Sequence, residues 1–310
     1  MGAKDKTAKL RIDPTETQEL LRSATLTDDD ILAMQEKLVE APSYKLAFED
    51  DDFLGQRRLR GVRLQLEMLK PDMALREKQI TSTIVCFGGT RILSEAQSNI
   101  KITKIKDRLK ENPDSEALQR QLRVAQNVLS KSHYYEEARR FSRLVSSQCQ
   151  IDGKCDYVVV TGGGPGVMEA ANRGAYDIGA QTIGLNIVLP QEQAPNPYIT
   201  PELCFQFHYF AVRKMHFLMR ARALVVFPGG YGTLDELFEA LTLVQTEKAR
   251  SLPIILFGRD FWEKVISFDT LVEEGVVDPD DLKLFSFAET AEEAWKTIQE
   301  SAHPYEGEIT

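Results

Sequence analysis

One pattern occurs twice in the chain: an apolar run ends in consecutive glycines, and a segment with helical spacing of apolar residues follows at once. The first copy lies at 157–171 and the second at 223–241. Short apolar runs bounded by glycine predict buried strands, and the spacing after them predicts helices. At both places the chain is therefore constrained to strand, tight turn and helix, which is the repeating unit of a mostly parallel α/β sheet.

The glycines of these turns favour a negatively charged ligand. Glycine lets the backbone turn tightly and approach a ligand, and the helix that follows directs its partial positive charge at the turn. The candidate ligand contacts lie in or just after the two turns: Gly162, Gly163, Gly164, Gly166 and Met168, and then Gly229, Gly230, Tyr231, Gly232, Thr233 and Asp235. A third predicted strand, at 80–87, ends in a similar turn, whose Gly89 and Thr90 are further candidates.

Each turn also has a purely structural interpretation. Thr233 and Glu236 have the spacing of a capping box, in which Glu236 only begins a helix. The turn at Gly89 is equally typical of an ordinary connection from strand to helix. Two glycine-opened helices in one chain nevertheless favour two arms of one anion site.

The net charge of the chain limits its partners. At −9 it argues against general affinity for nucleic acid or for anionic membranes. Positive charge that binds phosphate must therefore be local, and the helix predicted at 209–222 carries such a cluster, which includes Arg213 and Lys214. The planar fork of an arginine suits phosphate, whereas paired charges on a surface helix are the ordinary alternative.

Metal sites and membrane segments are not expected. The four cysteines and four histidines show no metal-ligand spacing, so we expect reduced thiols and no metal. No apolar window approaches the length of a membrane span, and the first residues are not followed by the apolar core of a signal peptide. We expect a soluble, cytoplasmic protein without a cofactor.

The order of the predicted elements gives a domain organisation. Residues 1–79 are predicted to form a helical extension, whose second helix ends at Pro71 because proline disrupts helix interiors. Residues 80–302 alternate strands and helices, which predicts a doubly wound, mostly parallel sheet. Residues 303–310 are expected to form a tail.

A loop with three prolines follows the strand predicted at 181–189. Loops at strand ends are where specificity contacts tend to lie. Glu192 and Asn196 of this loop are candidate contacts for a sugar hydroxyl, with simple solvation as the alternative.

Three motifs in order resemble those of the LONELY GUY (LOG) family, whose members were long labelled lysine decarboxylases. Segment 228–236, Pro-Gly-Gly-Tyr-Gly-Thr-Leu-Asp-Glu, resembles the PGGxGTxxE signature of that family. Arg213 and Lys214 resemble its upstream Arg-Lys pair, and 162–169 resembles its GGGxxGLM segment. The likeness covers roughly residues 80 to 300, and three motifs in order are specific. The helical extension departs from short plant-type members and resembles longer bacterial relatives.

The resemblance implies a phosphoribohydrolase, an N-glycosidase that cleaves a nucleoside 5′-monophosphate to free base and ribose 5-phosphate. AMP and a cytokinin riboside 5′-monophosphate are the substrates it implies. It also implies a modified Rossmann fold, a homodimer or larger homo-oligomer, and catalytic roles for Arg213 and Glu236. Breaking the bond builds positive charge on the ribose ring, which a carboxylate beside it stabilises.

Other functions fit less well or remain open. A non-catalytic carrier of a nucleotide or cofactor is the open alternative, because a fold does not fix a function. A dinucleotide-dependent oxidoreductase is disfavoured, since the G-x-G-x-x-G pattern with an acidic residue about 20 positions later is absent as such. A lysine decarboxylase is rejected, because Lys214 lies in a basic helix that suits phosphate and no lysine has the setting of a pyridoxal phosphate site.

Overall fold

The computed structural model describes residues 27–151, 153, 155–190 and 194–301. The predicted tail and the first part of the predicted extension lie outside these residues. The chain divides between Arg63 and Leu64 into two compact units. The first contains helix α1 (Asp28–Glu40), capped by Thr27, and the short helix α2 (Asp51–Leu54). Helix α3 (Arg60–Glu77) spans the division.

The second unit alternates strands with helices. Its strands are β1 (Thr83–Phe87), β2 (Val158–Thr161), β3 (Thr182–Ile187), β4 (Cys204–Phe207), β5 (Ala221–Val226), β6 (Ile254–Phe257) and β7 (Phe285–Ala288). The helices after α3 are α4 (Glu95–Glu111), α5 (Glu116–Leu129), α6 (Ser132–Cys149), α7 (Val167–Tyr176), α8 (Phe210–Met219), α9 (Tyr231–Gln245), α10 (Arg259–Val265), α11 (Phe268–Glu273) and α12 (Ala291–Ser301). None of the helices in the described part of the chain has the length and apolarity needed to cross a membrane.

The strands form one parallel sheet in the order β4-β3-β2-β1-β5-β6-β7. This confirms the predicted α/β class with a doubly wound parallel sheet. The strand order changes direction between β1 and β5, which pair from Thr83 opposite Ala221 to Phe87 opposite Val226. In open α/β sheets a crevice lies at this switch point, beyond the carboxyl ends of the strands.

Both faces of the sheet are buried, as expected of a parallel sheet covered by helices. Along β1, Val85 and Phe87 pack into one apolar cluster, while Ile84 and Cys86 pack into the other. Helices α3, α8, α9 and α10 complete the first cluster, and α6, α7 and α12 complete the second. The strand ends that carry the glycine turns are therefore held by a core on either side.

The predicted end of a helix at Pro71 is wrong, because α3 continues through Pro71 to Glu77. A proline inside a helix cannot donate to the carbonyl four residues earlier, which here is that of Glu67. Nε2 of His216, on α8, lies 3.2 Å from this carbonyl oxygen and supplies the missing donor. Since a carbonyl only accepts, Nε2 carries the hydrogen. Burial lowers the pKa of His216, which keeps the ring neutral.

Helix α3 holds α8 at both of its ends as well. The carboxylate of Glu67 accepts from the backbone N–H groups of His208 at 2.9 Å and Tyr209 at 3.1 Å, where α8 begins. Beyond the last turn of α8, Arg220 donates to Asp72 at 2.6 Å. Because α8 carries Arg213, α3 fixes the helix that presents the candidate arginine.

We expect His216→Ala to lower the free energy of unfolding by about 1–3 kcal/mol, because it leaves the partly buried Glu67 carbonyl without a donor. Pro71→Ala restores a backbone N–H at that point, so the double variant should lose less than the sum of the two single changes. Denaturant unfolding of the four proteins measures this coupling. Strict additivity would contradict the role given to His216.

One predicted helix boundary is wrong, and one strand was not predicted. The helix predicted at 209–222 ends at Met219, and Arg222 lies on β5. Strand β4 was missed, although its sequence, Cys-Phe-Gln-Phe, has the short alternation of an edge strand. Its place at the edge of the sheet, next to β3, comes from pairing with a distant strand, which local pattern does not reveal.

Candidate functional site

The turns after β1, β2 and β5 lie against one another. The N–H of Gly89 donates to the carbonyl oxygen of Pro228 at 2.9 Å. The carbonyl of Gly89 in turn accepts from the N–H of Val167 at 3.2 Å, at the start of α7. Gly89 thus joins the two glycine turns recognised in the sequence, and the three predicted turns form one neighbourhood.

Close packing of the turn after β2 requires glycine at two positions. Gly163 and Gly166 both have a φ of +73°, where side chains other than hydrogen are strained. A Cβ on Gly166 would also overlap the carbonyl oxygen of Gly89, and one on Gly163 would overlap the amide of Asn186. The turn after β2 is therefore packed between the turn after β1 and strand β3.

We expect Gly166→Ala to lower the free energy of unfolding by about 1–3 kcal/mol through backbone strain, with a further loss from the overlap with Gly89. Gly179→Ala is the matched control, because Gly179 has a φ of +72° and open space around its Cα. Thermal or urea unfolding should show the larger loss for Gly166→Ala. Equal losses would mean that the turns do not depend on this close approach.

Helix α9 begins at Tyr231 with Gly230 as its N-cap, and no side chain caps it. The capping box considered for Thr233 and Glu236 is therefore not formed. Thr233 packs against Gly229, and a Cβ on Gly229 would overlap the hydroxyl group of Thr233. Because the helix starts three residues earlier than the capping box requires, Glu236 lies in the second turn and its carboxylate faces α8.

Arg213 and Glu236 form a buried ion pair at the switch point. Nη2 of Arg213 lies 3.4 Å from Oε1 of Glu236, and the two side chains are 12% and 8% exposed. The same Nη2 lies 3.8 Å from where a Cβ on Gly162 would stand, so the pair adjoins the turn after β2. Within the described part of the chain, Nε of Arg213 is buried and has no hydrogen-bond partner. A buried donor without a partner is uncommon in folded proteins, which marks this guanidinium for a functional explanation.

Burial governs the protonation of the pair. It raises the pKa of Glu236 to about 7, against the opposing effect of the positive charges on Arg213 and Lys214. Burial likewise lowers the pKa of Arg213. A carboxyl group that gains and loses its proton near neutral pH, beside a fixed cation, is typical of a catalytic acid or base.

Lys214 lies outside the buried pair. Its Nζ is 2.8 Å from a carboxylate oxygen of Asp235 and 2.8 Å from one of Glu239. Partial burial alone would lower the pKa of Lys214, but these two hydrogen bonds outweigh it and raise the pKa. Of the four charged candidates on α8 and α9, Arg213 and Glu236 face inward together, while Lys214 and Asp235 form a more exposed pair.

The remaining candidates occupy the rim or the turns. Tyr231 is 92% exposed at the first position of α9, and Thr90 and Gly232 are also exposed. The sulfur of Met168 lies 2.9 Å from where a Cβ on Gly162 would stand, so Met168 packs under the turn after β2. Glu192 lies outside the described residues. No group of His, Cys, Asp and Glu placed to hold a metal ion occurs in the described ranges.

Sequence reasoning named Asn196 as a candidate sugar contact but missed the buried polar network behind the turn after β2 to which it belongs. Asn172 is fully buried in α7 and bonds to Thr161, Thr182 and Asn196. Asn196 is also buried, and its side-chain amide is engaged with the turn. An asparagine in a helix of small apolar residues was the one signal of this network in the sequence.

The fold and this site define a class: doubly wound α/β proteins with a buried Arg–Glu pair among glycine turns at the switch point of the sheet. A family profile described as "Possible lysine decarboxylase" matches residues 168–298. The cytokinin riboside 5′-monophosphate phosphoribohydrolases LOG3 and LOG4 of Arabidopsis thaliana are each 30% identical. The LOG3 match covers 48% of this chain and 69% of LOG3, and the LOG4 match covers 49% and 71%. The chain belongs to the LONELY GUY (LOG) family, whose relatives are named as phosphoribohydrolases.

Solved structures are also similar to this chain, among them an X-ray structure named TM1055. The X-ray structure of TM1055 shares 24% identity with this chain and covers 55% of it, with 89% of that structure matched and a TM-score of 0.39.

Proposed function

We propose that this chain hydrolyses the N-glycosidic bond of a nucleoside 5′-monophosphate, AMP or a cytokinin riboside 5′-monophosphate, to free base and ribose 5-phosphate. The observation that carries the proposal is the buried Arg213–Glu236 pair, which adjoins the glycine turn after β2 and in which the pKa of Glu236 is about 7. Membership of the LOG family supports it, since LOG3 and LOG4 are named for this reaction.

The pair supplies what the reaction needs. When the bond from C1′ to the base breaks, the base leaves with the electron pair and positive charge develops on the ribose ring. The carboxylate of Glu236 stabilises that charge and takes a proton from the attacking water, whose oxygen bonds to C1′. The departing base takes a proton from solvent. A purine leaves more readily than an alcohol, so less acid assistance is required than in glycoside hydrolysis.

Arg213 and the turns account for the 5′-phosphate. The guanidinium of Arg213 has a buried N–H without a partner among the described residues, and arginine donates in a planar fork that matches phosphate. The start of α9 and the turn after β2 offer backbone N–H groups and a helix dipole to the same anion. Arg213 also keeps Glu236 in place, so that one residue orients the carboxylate and contacts the substrate.

The arrangement does not favour decarboxylation of lysine. Lys214, the lysine next to the pair, donates to two carboxylates. A cofactor held as a Schiff base needs a lysine amine that is free to lose its proton, whereas these contacts raise the pKa of Lys214.

The test is to incubate the protein with AMP, GMP, CMP, UMP and isopentenyladenosine monophosphate, with adenosine as the control that lacks phosphate. Chromatography follows the free base. We expect base from at least one nucleotide and none from adenosine. Tight binding of a nucleotide without release of base would contradict the proposed hydrolase activity and favour a non-catalytic carrier.

A further inference from the structure

Asn196 forms hydrogen bonds to the turn after β2 through both its backbone and its side chain. Its backbone N–H donates to the carbonyl of Gly163 at 2.8 Å. Its Nδ2 lies 3.1 Å from the carbonyls of Gly163 and Gly164 and 2.9 Å from Oδ1 of Asn172. An amide nitrogen has two hydrogens for these three acceptors, so one hydrogen is shared. Oδ1 accepts from the N–H of Tyr198 at 3.2 Å, which fixes the orientation of the amide.

The same network reaches Gly163 from its other side. Oγ1 of Thr161 accepts from the N–H of Gly163 at 3.0 Å and donates to Oδ1 of Asn172 at 2.7 Å. Asn172 is anchored in turn by Nδ2, which donates to Oγ1 of Thr182 at 2.7 Å. Asn196 and Asn172 are 7% and 0% exposed, so water does not compete for these bonds. Gly163 therefore has neither its N–H nor its carbonyl available to a ligand.

The planarity of the peptide bond fixes the direction of the next N–H group in the turn, that of Gly164. In a trans peptide the N–H points opposite to the carbonyl. Since the carbonyl of Gly163 points at Asn196, the N–H of Gly164 points away from Asn196. Pro165 has no N–H, and the N–H of Val167 is bonded to Gly89. The N–H of Gly164 is thus a donor that the turn holds in a fixed direction.

We propose that Asn196 is a positioning residue for phosphate binding: by holding the carbonyls of Gly163 and Gly164, it presents the N–H of Gly164 to the 5′-phosphate. The identity of the ligand rests on the proposed function, whereas the role of Asn196 in orienting the turn does not. A hydrogen bond from a neutral donor to a phosphate is worth about tenfold in affinity.

The test compares Asn196→Ala with Thr200→Val. Oγ1 of Thr200 accepts from the N–H of Thr182 at 3.0 Å, so Thr200→Val weakens the same loop without touching the glycine turn. We expect Asn196→Ala to raise both the KM for the nucleotide and the Kd for ribose 5-phosphate about tenfold, with kcat little changed. Thr200→Val should leave both values unchanged. A loss of stability in Asn196→Ala without a change in KM or Kd would overturn the proposal.

Binding of ribose 5-phosphate, measured by calorimetry, separates this proposal from the function. If the protein releases no base but binds ribose 5-phosphate, and Asn196→Ala weakens that binding, the proposed hydrolase function is wrong and the positioning role of Asn196 is supported. If turnover is found and Asn196→Ala binds normally, the positioning role fails alone.

A measurement on the unaltered protein decides the matter if Asn196→Ala does not fold. In protein labelled with nitrogen-15 at glycine, the amide chemical shifts can be followed by nuclear magnetic resonance. Saturating ribose 5-phosphate should change the amide chemical shift of Gly164 more than that of Gly163, whose N–H is bonded to Thr161. A Gly164 resonance that does not move would overturn the proposal.

Discussion

Glu236→Gln is expected to lower kcat for nucleotide hydrolysis about a thousandfold, because an amide neither takes a proton from water nor carries negative charge beside the ribose ring. Glutamine keeps the length of the side chain and an oxygen that accepts from Arg213. The Kd for the nucleotide should therefore change little. Single-turnover release of base and a binding titration measure the two quantities separately.

Glu239→Gln is the matched control for this substitution. Glu239 lies one turn later on α9 and contacts Lys214 rather than Arg213, so the same change of charge there should alter kcat only slightly. Equal losses in the two variants would show that kcat follows the charge of α9 rather than a carboxylate at the reacting atoms. Full activity of Glu236→Gln would contradict the mechanism outright.

The second large effect is the dependence of kcat/KM on pH. Glu236 acts as a base only when ionised, and burial raises its pKa to about 7, with Asp235 and Glu239 adding to the shift and Arg213 and Lys214 opposing it. The rate should therefore rise with pH and level off above about 7. Two pH units below its pKa roughly one carboxyl in a hundred is ionised, so kcat/KM at pH about 5 should be about a hundredfold below the plateau.

The phosphate of the substrate also titrates, with a pKa of about 6, and must be separated from Glu236. In the pH profile of kcat/KM, the residual activity of Glu236→Gln should still fall as the substrate phosphate is protonated, but it should no longer show the fall near pH about 7 that belongs to Glu236. The profile of Glu239→Gln should show both falls. A wild-type rate that is flat between pH about 5 and about 8 would show that Glu236 does not need to be ionised.

Local patterns predicted the parts of the fold in which the sequence of one segment is sufficient. Apolar runs that end in glycine marked β2 and β5 and the helices after them, and the order of elements implied the parallel sheet. That the turns after β1, β2 and β5 would meet followed from a general property of such sheets.

Contacts between distant segments decided the rest. Pro71 is accommodated inside α3 because His216, 145 positions later, donates a hydrogen bond to the carbonyl of Glu67 that Pro71 leaves without a donor. A rule based on local sequence cannot identify so distant a partner. The spacing of Thr233 and Glu236 fits a capping box, but the burial of Glu236 beside Arg213 favours a helix that starts earlier. The polar network around Asn172 and Asn196 joins four separate segments, so it becomes visible only after the chain has folded.

The measurement that tests the central claim most directly is the identity and ratio of the products of the best nucleotide. Nuclear magnetic resonance of the reaction mixture distinguishes free base, ribose 5-phosphate, nucleoside and inorganic phosphate. The account predicts free base and ribose 5-phosphate in equal amounts, with no nucleoside formed. Nucleoside and inorganic phosphate, or a bound nucleotide that is never cleaved, would contradict it.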